Sequence, residues 1–177
     1  MKQNETAIAK AVLGEISNRR GMMWEKIAEF QEQVNKVEGV IVHKAGEERT
    51  EIEEYYTPLK QTLEGGLYTR ELFMPKGAVI VSMIHKQQHP SFLLKGELSY
   101  LTDEGEIKKI KAPSTVFTQK GTQRVFYVHK DSEWCCVYKT DAKTFEEAES
   151  DVYVDKFTEL PEELISKTKK LWQAQHQ

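Results

Sequence analysis

His85-Lys86-Gln87-Gln88-His89-Pro90-Ser91-Phe92-Leu93-Leu94-Lys95-Gly96-Glu97-Leu98-Ser99-Tyr100 is the stretch whose reading decides the fold. A polar turn, Asp103-Glu104-Gly105, follows, and further on comes Gln119-Lys120-Gly121-Thr122-Gln123-Arg124. Two histidines enter an apolar run, a Lys-Gly-Glu turn interrupts it, and a second glycine turn delivers an arginine. The pattern suggests a small β-barrel with a polar pocket.

Working outward, residues 67–74 read as a strand, Pro75-Lys76-Gly77 as a turn, and 78–85 as a β-branched strand. Residues 91–102 form the next strand, and the Asp103-Glu104-Gly105 hairpin leads into 106–111. A turn at Ala112-Pro113-Ser114 precedes 115–118. Residues 122–129 and 133–139 are extended, with a turn expected at Asp131-Ser132. Strands at this short spacing point to an all-β sandwich or barrel.

Helical patterns flank the β region. Ile8, Val12 and Ile16 recur at i, i+4 and i+8 within 5–18. From 22 to 37, Met23, Ile27, Phe30, Val34 and Val37 make one apolar stripe that suits packing on the barrel or on another subunit. Residues 40–43 read as a short strand, and the charged run 47–54 as a solvated helix or loop. Residues 152–154 read as extended. At the C-terminal side, Pro161 opens a last helix whose acids come first and bases last, which complements the helix dipole. The expected division is a helical N-terminal extension (1–64), a β-barrel (65–140) and a C-terminal helical extension (141–177).

Composition narrows the function. With 177 residues, 39% hydrophobic and 30% charged, the chain is an ordinary globular length with a real core. Its net charge is −3 and no basic stripe stands out, so no nucleic-acid partner is expected. No apolar run is long enough to span a bilayer, so no membrane is expected either. The two cysteines, Cys135 and Cys136, are adjacent. In a strand they face opposite sides and do not pair, which fits reduced thiols in the cytoplasm.

In this layout the residues resemble the cupin superfamily of small jelly-roll barrels, over roughly 67–139. Leu94-Lys95-Gly96-Glu97-Leu98 is similar to the family's Leu-Glu-Gly-Glu-Leu turn. The wording as a whole looks most like bacteriophage-encoded cupin-like proteins of unknown function. Counting from Gly96, the resemblance puts His89 at the family's glutamate ligand and His85 at the second histidine of His-x-His. Met83 stands at the first histidine and Arg124 at the last, while Gln119-Lys120-Gly121 stands for Pro-x-Gly. The family's metal would be a divalent Fe, Mn, Ni or Zn, held here by His85 and His89 alone. Guanidinium has no lone pair to give, so the set is incomplete. His43 or His129 could supply a third ligand, although alternation turns His129 away from Arg124, Phe126 and Val128.

The same residues suit an anion. Arginine matches carboxylate or phosphate with a planar fork of donors, and histidine adds a hydrogen-bonding group. The expected function is a cupin-like binding protein for an anionic metabolite or nucleotide-derived small molecule. Its ligand-binding residues would be His85, His89, Arg124, Phe126 and Tyr100. The alternatives are a cupin enzyme, either a metal-dependent oxygenase or a metal-free isomerase or lyase, and a phage structural protein using the jelly roll as scaffold. Arg124 could instead be an ion-pair partner of an N-terminal acid. Cupin-like domains commonly pair, so the resemblance also implies a homodimer.

Overall fold

In a computed structural model the placed residues are 2–175. Two helices come first, α1 (Lys2–Ser17) and α2 (Met23–Val34), then a short α3 (Glu51–Tyr56). The strands are β1 (Leu59–Glu64), β2 (Leu67–Met74), β3 (Val79–Val81), β4 (Ile84–His85), β5 (His89–Leu101), β6 (Ile107–Lys111), β7 (Ser114–Thr118) and β8 (Val125–Lys139). Helix α4 (Phe145–Val152), strand β9 (Tyr153–Val154) and helix α5 (Glu162–Gln175) complete the chain.

All strand pairs are antiparallel. The main sheet runs β1-β2-β8-β5-β6, with β3 on β8 and β7 on β5. The hydrogen-bonded ladder ends at β1 and β6, so the expected jelly-roll barrel is not a closed one. Its organisation rests on the two long strands. In one half they are flanked by β2 and β7, and in the other by β3 and β6. The change of neighbours falls where the β5–β8 register shifts around residues 93–98. Gly96 sits there with φ +90°, and a Cβ on it would lie 2.4 Å from the Asp131 carbonyl oxygen. Only glycine tolerates both the torsion and the approach, which is the signature of a bulge. The interruption read at Lys95-Gly96 is therefore a bulge inside one strand. The turn expected at Asp131-Ser132 is likewise a point inside one continuous strand.

Strand alternation separates two cores. The inner one holds Tyr68, Met74, Leu93, Leu98, Tyr100, Phe126, Val128, Trp134, Cys136, Tyr138 and Tyr153. On the other face, Leu101, Val125 and Tyr127 are covered by Ala9, Leu13 and Ile16 of α1 and by Ile27 and Phe30 of α2. The stripe from Met23 to Val34 thus packs on the chain's own sheet, whereas Val37 lies past the helix end and is exposed. In α1 the buried positions are Ala9, Leu13 and Ile16; Ile16 is buried as read and Val12 packs at the edge, but Ile8 is 43% exposed and Ala9 and Leu13 take the inner face.

Three other expectations are corrected. Residues 40–43 form no strand. Residues 59–64, read within the N-terminal extension, are a strand paired with β2. The charged run 47–54 is not wholly solvated, because Glu53 is 3% exposed. No helix among the described residues is long and apolar enough to cross a membrane.

Candidate functional site

The two histidines are built from consecutive short elements. His85 ends β4, whose partner is β9, with His85 opposite Tyr153. The His85 carbonyl accepts the Gly121 N–H at 2.7 Å, which ties β4 to the second glycine turn. His89 opens β5 opposite Thr118 of β7. Both rings are buried, 5% and 1% exposed, with centroids 4.6 Å apart.

Tyrosines surround them. His85 Nδ1 lies 3.0 Å from the Tyr138 hydroxyl, which lies 2.6 Å from that of Tyr153. The His89 ring is 4.2 Å from the Tyr138 ring. His89 Nδ1 donates to the Gln87 carbonyl at 3.0 Å. Its Nε2 is buried without a hydrogen-bond partner.

Arg124 approaches from the start of β8. Its backbone N–H donates to Ser82 Oγ at 2.9 Å and its carbonyl accepts the Ser82 N–H at 2.9 Å, so the residue is pinned from both sides. The side chain is buried, with its guanidinium carbon 4.8 Å from the Tyr100 ring centre. It makes no ion pair among the described residues, and its Nε is buried without a partner. The alternative role as a salt-bridge partner of an N-terminal acid is not realised. Phe126 packs behind Tyr100 and against Trp134, at ring distances of 6.4 and 5.2 Å.

Electrostatics keeps both imidazoles neutral. Burial above all, reinforced by His89, Arg124 and Arg70, holds His85 well below the ordinary histidine value. Burial, with Arg124 adding to it and the Gln87 bond opposing, brings His89 down to about 4. The same burial raises Tyr138 and Tyr153 far above the usual phenol value. The result is a neutral aromatic and imidazole lining beside one cation, whose charge also acts on the Asp103 carboxyl.

A divalent metal does not fit this set. Among the described residues no group of three His, Cys, Asp or Glu side chains is arranged to hold a metal ion. His85 Nδ1 is engaged by Tyr138, Met83 packs against the core, and Arg124 offers a guanidinium with no lone pair to give. His129 lies on the opposite face, its Nε2 2.8 Å from Ser99 Oγ and its ring on Tyr127. His43 is held elsewhere, between Glu53 (2.8 Å) and Glu149 (3.0 Å).

That second cluster was missed in the sequence. Arg70 of β2 pairs with Glu149 of α4 at 2.7 Å and lies 5.0 Å from the Tyr153 ring. Burial opposes ionisation of Glu149, but His43, Arg70 and the Gly46 N–H outweigh it and hold its carboxyl below the ordinary value. Arg70 had a signal: it shares strand parity with the buried Tyr68 and Met74. Glu149 and His43 had none. A separate depression of about 680 Å³ lies at the bulge, lined by Lys76, Lys95, Gly96, Lys111, Lys130 and Asp131 among others, and includes none of the residues above.

No family model matches the sequence, and no curated protein matches it. Among solved structures, the chain is similar to the cupin-2 domain of an XRE-family transcriptional regulator from Enterobacter cloacae, with 13% identity and a TM-score of 0.42. That match covers 49% of this chain and 99% of the other. It is similar to a cupin-2 domain-containing protein from Halorhodospira halophila at 14% identity and TM-score 0.43, over 55% and 72% of the two chains. A putative ethanolamine utilization protein Q from Salmonella typhimurium is similar at 17% identity and TM-score 0.43, over 58% and 93%.

Proposed function

We propose that the chain is a cupin-like binding protein that holds a small anionic ligand, a metabolite or nucleotide-derived acid, against Arg124 with His85 and His89 beside it. One observation carries the reading. Arg124 is 6% exposed, stacked on Tyr100, and has neither an ion pair among the described residues nor a partner for its buried Nε. Asp103 acts on it without an ion pair, and a buried cation that no anion contacts is costly, so an anionic ligand is the simplest compensation. Tyr100, with Phe126 behind it, walls the guanidinium. The neutral histidines supply hydrogen bonds without competing for the anion's charge. No step is assigned to a metal.

Replacing Arg124 by Met tests this. The variant keeps length and apolar volume and removes the charge. Native mass spectrometry of the wild type, followed by analysis of small molecules released on denaturation, should yield an acid that the variant lacks. The ligand-free variant should unfold at the same urea concentration as the ligand-free wild type, or higher. A variant that still carries the acid would end this assignment.

A further inference from the structure

Resting on that reading, we infer that the ligand is not a bare acid but an anion carrying its own hydrogen-bond donor, a hydroxy acid or an N–H-bearing equivalent, whose donor meets His89 Nε2. The argument is one of proton placement. The Gln87 carbonyl has no proton, so the 3.0 Å contact requires the proton to sit on His89 Nδ1. The ring is neutral at pH 7, because its burial and the Arg124 charge keep it so. Nε2 is then a bare lone pair, and it is buried with nothing to accept from.

The site thus holds two unmet demands of opposite sense. Arg124 offers a buried Nε–H that lacks an acceptor, and His89 offers an acceptor that lacks a donor. The two groups lie at one end of the sheet: the His89 ring centre is 4.6 Å from that of His85, and the His85 N–H donates to the carbonyl of Thr122, two residues before Arg124, so one small molecule can reach both groups. A simple carboxylate meets only the first demand, and its second oxygen would confront the Nε2 lone pair. Adding a hydroxyl or N–H to the same acid turns that repulsion into a hydrogen bond. His85 Nδ1 faces Tyr138 in the Tyr138–Tyr153 pair, where either hydroxyl can donate, so of the two rings only His89 has its proton placed by a carbonyl. Buried polar groups left unpaired discriminate strongly against ligands that lack the matching group.

Matched acids test this by titration calorimetry at pH 7.5: lactate against propionate, mandelate against phenylacetate, and 3-hydroxybenzoate against benzoate. In at least one pair the hydroxy acid should bind the wild type about tenfold more tightly. His89→Phe, which keeps an aromatic ring and removes Nε2, should reduce that preference to within about twofold, as expected once the hydrogen bond is gone. The wild-type comparison needs no variant to fold. Equal binding within every pair, or a preference that survives His89→Phe, would overturn the inference while leaving an Arg124-dependent acid site standing. Stoichiometric metal in the wild type that is lost in His89→Phe would overturn it too, because Nε2 would then have another partner. Binding of none of the six acids would overturn both readings.

Discussion

His89 carries its proton on one ring nitrogen and is buried on both, and the cost of that arrangement is set by pH. Its value is about 6.5 in the unfolded chain and about 4 in the folded one. Between those limits the unfolded state binds the extra proton, so the contribution is full above pH 6.5 and is lost as pH falls toward 4. A gap of that size corresponds to on the order of 3 kcal/mol at its full extent. His85, displaced in the same direction, adds to the loss. Glu53 and Glu149, both held below the ordinary carboxylate value, add theirs only below about pH 4.5. Urea midpoints at pH 7 and pH 4.5 should therefore diverge less in His89→Phe than in the wild type. Parallel profiles would show that His89 is solvated in the folded chain.

At the scale of elements, Gly96 decides how the two long strands meet. Alanine there would need a strained positive φ and would press against the Asp131 carbonyl and the Ser132 side chain. Gly96→Ala should cost about 3 kcal/mol in chemical denaturation, against almost nothing for Lys95→Ala beside it. A small loss would mean that the bulge relaxes freely. Gly96 is also where the sequence was most legible. The apolar runs on either side of it, the hairpin at Asp103-Glu104-Gly105 and the Gly121 turn are each defined by chemistry within a few residues. Counting from Gly96 along the resemblance singles out His85, His89 and Arg124, and the structure sets the two imidazoles 4.6 Å apart and the guanidinium over Tyr100. What stayed hidden depends on distance along the chain. Glu149 looks like any other acid in an acidic helix until Arg70 and His43 are found beside it, and 79 residues of sequence separate it from Arg70. Continuity was also hidden. Asp131-Ser132 has turn composition, yet the Ser132 hydroxyl is drawn inward to the Lys130 carbonyl and the Glu97 N–H, and the strand passes through.

For the molecule as a whole, the helical flanks are fastened by charge and by aromatic stacking. Glu53, His43, Glu149 and Arg70 join the segment before the sheet, β2 and the helix after the sheet in one buried cluster. Trp24 of α2 stacks on Phe157, between β9 and α5, at 4.5 Å and 6°. Arg70→Met removes the only arginine touching Glu149 among the described residues and leaves a buried carboxylate pair sharing one imidazole. It should cost about 3–5 kcal/mol, as breaking a buried pair does. Limited proteolysis should then cut first around residues 40–50. Adding Glu149→Gln should recover part of the loss. If Arg70→Met unfolds at the wild-type urea concentration, the cluster is not what fastens the flanks.

The position of β8 in the sheet has a consequence for synthesis. It is the last strand of the main sheet to leave the ribosome, yet β2, β3 and β5 all pair with it. Until residue 139 has emerged, β2 and β5 each lack the neighbour that joins them, and the hairpins β1–β2 and β5–β6 wait as separate pieces with open edges. Such edges invite pairing with other chains. Helices α1 and α2 are made first, but the Val125 and Tyr127 side chains they cover come from β8, so they too must wait for the last strand. Assembly of the sheet therefore waits for residue 139, and nascent chains truncated before β8 should be the species that chaperones hold.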